Sequence, residues 1–220
     1  MNRMRLLASA VGITTSVALL TQIPYLKNLI KDLLNMRNNY SYEVVRVIDG
    51  DTFETKEKQR IRLAGVDAPE IGLCGSTEAK RLLEKLILNK KVQLKVSFID
   101  IYRRQISYVY IGDKFINLMM LKSGWTYKGT GTSEKNDLLL QTTQVANQKN
   151  IGIFSDQCTQ KINKEHPSCN IKGNVTRSLY HYPGCGQYNN VLVELHRGDR
   201  WFCTKEEAEK AGFKRAQLCP

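Results

Sequence analysis

Two pairs of carboxylates with an arginine between them crowd one short stretch of this chain, Val47 to Glu70: V-I-D-G-D-T-F-E-T-K-E-K-Q-R-I-R-L-A-G-V-D-A-P-E. Asp49 and Asp51 flank a glycine, Asp67 and Glu70 flank Ala-Pro, and Arg62 lies between the pairs. The apolar residues around them (Val47, Ile48, Phe53, Ile61, Leu63, Val66) read as short β-strands, which leaves the acids at strand ends where carboxylates from two strands can converge. Hard oxygen ligands gathered on a rigid sheet suit Ca²⁺ or Mg²⁺ and not a soft metal. An arginine among them suits an anionic substrate, most simply a phosphate. Each piece alone is also an ordinary turn, since Asp-Gly marks tight hairpins and proline presets φ. Two acidic turns and an intervening arginine within one sheet segment raise the pattern above that reading.

The elements that must position these groups are legible on either side. Tyr42–Ile48 alternates as a strand, Asp49-Gly50 turns the chain into Thr52–Thr55, and a charged hairpin from Lys56 to Gln59 leads to a third strand, Ile61–Val66. After a Gly72–Gly75 loop carrying Cys74, Ser76 is expected to cap a helix to about Asn89, with Ala79, Leu82, Leu83, Leu86 and Ile87 as its apolar stripe. Lys91–Phe98 and Gln105–Ile111 alternate again, and helices follow at about Ile116–Ser123 and Glu134–Lys149. Five strands with an inserted helix fit an α+β fold, mainly β: a five-stranded barrel of the oligonucleotide-binding (OB) type with about three helices.

Length, charge and cysteines bound the rest. The 220 residues, 42% of them hydrophobic, leave room for one ordinary domain and a smaller module. The formal charge of +12 suits a protein that handles a polyanion and is spread along the chain, so no single basic tail accounts for it. Residues 1–35 read as a signal or membrane anchor: Arg3 and Arg5 precede an apolar run from Leu6 to Leu20, with no convincing small-x-small cleavage site after it. Pro24 and Lys27 interrupt its continuation, leaving the core run short of the ~20 residues that span a bilayer. Residues 40–157 then form the barrel domain, Cys158 to Ser168 a polar linker, and 166–220 a small Cys-rich module. In that module Thr204 and Glu207 form a capping box opening a short helix that ends near Gly212.

The module holds all three histidines (His166, His181, His196) and four of the six cysteines. The absence of C-x-x-C and the long, even gaps argue against zinc. In an exported protein such cysteines are expected to form disulfides that staple a module too small for a good core. Six cysteines allow 15 connectivities, among which Cys74 with Cys158 is the pair inside the barrel portion.

The D-G-D-T turn followed by R-L-x-x-V-D-x-P-E closely resembles the signature of the staphylococcal nuclease (thermonuclease) family, over about Tyr42 to Phe154. Asp100-Ile101-Tyr102-Arg103-Arg104 resembles that family's D-x-Y-x-R, with Arg103 at a position that is often glycine. The resemblance implies a Ca²⁺-dependent nuclease in which Asp51, Asp67 and the Ala68 carbonyl hold the metal, and Asp49 reaches it mainly through water. It makes Glu70 the general base toward water, and gives Arg62 and Arg104 the scissile phosphate. Cleavage would leave 3′-phosphate ends. Tyr102 and Tyr127 are candidates to stack on bases. The expectation is therefore an exported monomer acting on DNA, and on RNA as a second polymer, with low sequence specificity. The alternative is a non-catalytic barrel that binds nucleic acid or protein. Degenerate binding relatives lose carboxylates or arginines, and here Asp49, Asp51, Asp67, Glu70, Arg62 and Arg104 are all present. The C-terminal segment resembles a module appended to secreted thermonuclease-like proteins.

Overall fold

The computed structural model describes residues 41–130 and 134–220; the segment read as a signal or anchor lies outside the described residues. Ser41–Pro220 forms one compact unit. Among the described residues no helix is long and apolar enough to cross a membrane.

The chain runs β1 (Ser41–Val47), β2 (Thr52–Thr55), β3 (Arg60–Leu63), β4 (Val66–Asp67), α1 (Ser76–Ile87), β5 (Lys91–Ile99), β6 (Gln105–Ile111), β7 (Lys114–Phe115), α2 (Ile116–Lys122), β8 (Tyr127–Lys128) and α3 (Asn136–Gln148). β1, β2 and β3 form an antiparallel meander; β5 joins β1 and β6 joins β5, both antiparallel. A parallel pairing of β3 with β6, Ile61↔Gln105 to Leu63↔Ser107, closes the five strands into a ring. The expected OB-type barrel is thus present, and closure removes the sheet edges that an open five-stranded sheet would expose. Val44, Phe53, Ile61, Leu63, Val92 and Tyr108 fill the interior, and α1 plugs it with Leu83 and Ile87. The helical stripe is as expected: Ala79, Leu83 and Ile87 are buried, with Leu82 and Leu86 packed beside them.

Two local expectations are corrected. The strand expected to run unbroken from Ile61 to Val66 stops at Leu63, because Gly65 adopts a left-handed φ of 69° and turns the chain. Buried Asn117 fastens this turn: its amide donates to the carbonyls of Ala64 (2.9 Å) and Ser107 (3.2 Å) while its oxygen accepts from Val109 N–H (2.9 Å). Ser76 begins α1 without capping it; the N-cap is Gly75, at φ 85°, with no side-chain cap. A β-carbon at Gly75 would lie 2.6 Å from Ile153, so packing against the 152–154 turn selects glycine over a capping side chain here.

Beyond the barrel come β9 (Thr159–Gln160), β10 (Ile171–Asn174), β11 (Leu179–His181), β12 (Val193–Glu194), β13 (Arg200–Phe202), α4 (Lys205–Lys210) and β14 (Lys214–Arg215). The stretch expected to be only a linker therefore contains a strand: β9 pairs with β12, and Trp201 Nε1 donates to Gln160 (2.7 Å). A four-stranded sheet, ordered β13-β10-β11-β14, packs on α4 around a small core of Ile171, Tyr180, Phe202, Ala208 and Phe213. All six cysteines are paired, as Cys74–Cys158, Cys169–Cys203 and Cys185–Cys219. Two of these bonds lie inside the module, where the core is too small to hold the fold by burial alone. The capping box is as expected in its first half, with Thr204 Oγ1 accepting from Glu207 N–H (3.1 Å); Glu207 reaches back to Cys203 N–H instead of to the cap residue (2.9 Å).

Candidate active site

Asp51 and Asp67 come together on opposite arms of one guanidinium. Arg62 donates through Nη1 to Asp51 Oδ1 and through Nη2 to Asp67 Oδ1, the latter at 2.6 Å. Asp51 is 2% exposed, and its other contacts are also directed: Thr52 Oγ1 donates to Oδ1 (2.8 Å) and Ala68 N–H donates to Oδ2 (2.8 Å). Thr52 faces Arg62 across the β2–β3 ladder, so the last letter of D-G-D-T takes part directly in the site. The sequence reasoning did not single it out, although the motif already contained it.

Backbone packing sets these positions. A β-carbon at Gly50 would lie 2.5 Å from Ala79 of α1 and 2.6 Å from Ala68, so this glycine permits helix, D-G-D turn and D-A-P-E turn to meet. Gly50 does not adopt a left-handed φ; close approach, and not turn geometry, is its role. The turn fastened by Asn117 carries the chain from Arg62 round to β4, where Asp67 pairs with Tyr127 of β8.

The remaining candidates stand at different removes. Asp49 Oδ1 accepts from Asp51 N–H (3.0 Å), closing the turn beside the buried carboxylate. Glu70 is exposed, three residues beyond Asp67, in a turn closed by Leu73 N–H to the Glu70 carbonyl (2.9 Å). Arg104 lies just before the β3–β6 pairing, in which Ile106 faces Arg62. Its backbone and side chain both bind Asp100, the latter at 2.8 Å, and hold that carboxyl below its usual range against the opposing cost of burial. Tyr102, 73% exposed at the hairpin tip, sets its ring 5.3 Å from the Arg104 guanidinium. Arg103 has φ 61°, the backbone shape that a glycine there would supply freely. Tyr127 is half-buried: burial raises its hydroxyl pKa, the charges of Asp67, Asp51 and Glu70 add to this, and Arg197 opposes it.

Among the described residues no three His, Cys, Asp or Glu side chains converge as they would around an ion. The carboxylate oxygens of Asp51 and Asp67 are nonetheless hard donors, the type that suits Ca²⁺ or Mg²⁺. Burial drives the Asp51 carboxyl up to about 7, with Arg62 pulling the other way and Asp49 adding repulsion. Burial is the larger influence on Asp51, and the Arg62 guanidinium opposes it only in part. Asp51, Asp67 and the Ala68 carbonyl would hold the ion, with Asp49 behind them.

The site is thus a small closed OB barrel that carries, at its strand ends, one buried and one half-buried carboxylate bridged by an arginine. The family model for staphylococcal nuclease homologues matches residues 60–156, and the one described as ArfC matches residues 160–215. An "uncharacterized endonuclease" of Haemophilus influenzae is 33% identical over 126 residues, covering 54% of this chain and 69% of that protein. The micrococcal nuclease of Shigella flexneri is 29% identical over 133 residues (54% and 76% covered). The thermonuclease of Staphylococcus intermedius is 32% identical over 121 residues (50% and 72%). The chain belongs to the staphylococcal nuclease family.

Proposed function

We propose that this protein is a Ca²⁺-dependent phosphodiesterase that cuts DNA, and RNA as a second substrate, with low sequence specificity and 3′-phosphate products. The observation that carries the reading is Arg62 held between Asp51 and Asp67 on a closed OB barrel. The names of the relatives point to the same chemistry.

In this reading Arg62 gives up part of its hold on the carboxylates to donate to phosphate oxygens, a bidentate match that lysine does not reproduce. Ca²⁺ supplies charge stabilisation for the phosphate when bound. Glu70, exposed and without a side-chain hydrogen bond among the described residues, orients or deprotonates the attacking water. Arg104, steadied by Asp100, adds a second guanidinium to the charge that builds on the phosphate, and Tyr102 offers an open face to a base. Three disulfides suit an oxidising compartment, and export through the N-terminal segment, with or without a lasting membrane tether, supplies one. The protein acts as a monomer.

The test incubates the purified chain from Asn38 onward, disulfides formed, with single- and double-stranded DNA and RNA in Ca²⁺, in Mg²⁺ and in chelator. A Glu70→Gln variant runs alongside. Degradation in Ca²⁺ that chelator abolishes and the variant loses is the expected result. Binding without cleavage in any metal would replace the enzyme by a binding module.

A further inference from the structure

Arg197 belongs to the C-terminal module, yet it stands at the rim of the barrel's site. Its Cζ lies 4.9 Å from the centroid of the Tyr127 ring. Tyr127 is the β8 residue paired with Asp67, and the charges of Asp67, Asp51 and Glu70 all bear on its hydroxyl. One ring therefore separates the acidic, arginine-bridged cluster of Asp51, Arg62 and Asp67 from a guanidinium supplied by another part of the chain.

The turn that presents Arg197 is firmly built. Leu195 N–H donates to the Cys158 carbonyl (2.8 Å), and Cys158 is bonded to Cys74, four residues past Glu70. His196 is buried with its ring edge-on to Tyr127 (5.9 Å) and Phe154 (6.3 Å). Gly198 ends the turn at φ 90°, and a β-carbon there would lie 3.9 Å from Leu73 of the Glu70 loop. The same covalent staple thus fixes the loop bearing Glu70 and the turn bearing Arg197. Arg197 itself keeps a 42% exposed side chain; Glu194 Oε1 lies 3.5 Å from its Nε, and its terminal nitrogens make no hydrogen bond among the described residues. An arginine laid on an aromatic face with its fork free is preorganised for a phosphate.

We propose that Arg197 is a phosphate contact for the polynucleotide, so that the C-terminal module completes the substrate cleft of the nuclease barrel. This rests on the nuclease reading above. A merely structural arginine, stacked on Tyr127 and paired with Glu194, would change stability when removed but not the salt dependence of binding.

The experiment measures anisotropy of a labelled single-stranded oligonucleotide with the chain from Asn38 onward carrying Glu70→Gln, disulfides formed, in Ca²⁺, over a salt series. Arg197→Ala and Arg197→Gln are compared with that parent, and Arg177→Ala, an exposed arginine elsewhere in the module, is the control. Both Arg197 variants are expected to bind about 3- to 10-fold more weakly and to lose about 0.7 from the log–log salt slope, the share of one phosphate. Arg197→Lys should recover the slope, and Arg177→Ala should match the parent. Unchanged affinity and slope in both neutral variants, beside a parent that binds, would overturn this inference alone. A parent that binds no oligonucleotide would overturn the nuclease reading, and this inference with it.

Discussion

Gly129 lies against the carboxylate of Asp67: a β-carbon at Gly129 would stand 2.8 Å from Oδ1 and 2.9 Å from Cγ. The strand β8 approaches β4 this closely because nothing projects from residue 129 toward the acid, so the glycine is part of the site without carrying any chemistry. Gly129→Ala is expected to push Asp67 off Arg62. The overpacking costs about 1–3 kcal/mol of stability, while nuclease activity in Ca²⁺ falls further, by about 10- to 100-fold, because a misplacement of this size at a reacting centre is costly. Thermal unfolding and turnover of the same preparation check this. A variant with parental activity would show that Asp67 is not held where the chemistry needs it.

Arg62 is the cation that both Asp51 and Asp67 contact. Removing it by Arg62→Ala leaves a buried carboxylate whose burial already pushes its pKa up, with Thr52 and Ala68 N–H as its remaining donors. In chelator the variant should lose about 1–3 kcal/mol, less than a fully buried pair because the arginine is partly exposed. Ca²⁺ should then raise its unfolding temperature by more than it raises the parent's, since the ion replaces the lost charge. Equal Ca²⁺ shifts in the two proteins would count against Asp51 and Asp67 as the ion's ligands.

The bond between Cys74 and Cys158 closes a loop of 84 residues and ties the Glu70 loop to the start of the C-terminal module. Replacing both cysteines by serine is expected to cost about 2–4 kcal/mol. Because Glu70 sits only four residues before Cys74, catalysis should also suffer, with kcat/KM falling about 10-fold at a temperature where the variant remains folded. Loss of stability with kcat/KM intact would mean that the loop holds its shape by packing alone.

How much of this was legible in the sequence follows the range of the interactions. The D-G-D-T and V-D-A-P-E turns, the stripe of α1 and the alternating strands are local patterns and lie as read, except that the third strand breaks at Gly65. Contacts made across the fold were not visible. Asn117 looks like any polar helical residue until its amide is seen to fasten the turn at Ala64, 53 residues away. Gly50 read as a hairpin glycine, whereas its real constraint is the approach of Ala79 and Ala68. The cysteine pairing rests on geometry that 15 connectivities conceal. Arg197 carried no motif at all, because its partner Tyr127 lies in another module.

His196, on the same turn as Arg197, makes the acid stability of that junction measurable. Its ring is buried among Tyr127, Phe154 and the Cys158 carbonyl, with no well-formed hydrogen bond at either nitrogen. Burial pushes its pKa down to about 4, the Cys158 carbonyl opposing this only in part and Arg197 reinforcing it. Glu194 Oε1, 3.8 Å from Nε2, is the acid that faces it. The folded protein therefore keeps the ring neutral while the unfolded chain takes up a proton near pH 6.5. Between about pH 6.5 and 4 the unfolded state binds more protons, so this residue's contribution to stability falls as pH falls, by on the order of 3 kcal/mol at most. His196→Phe keeps the apolar ring contacts and removes the titration. From pH 7.5 to 4.5 the unfolding temperature of the variant should fall less than that of the parent. Parallel curves over that range would show that the imidazole is hydrated or paired in the folded protein.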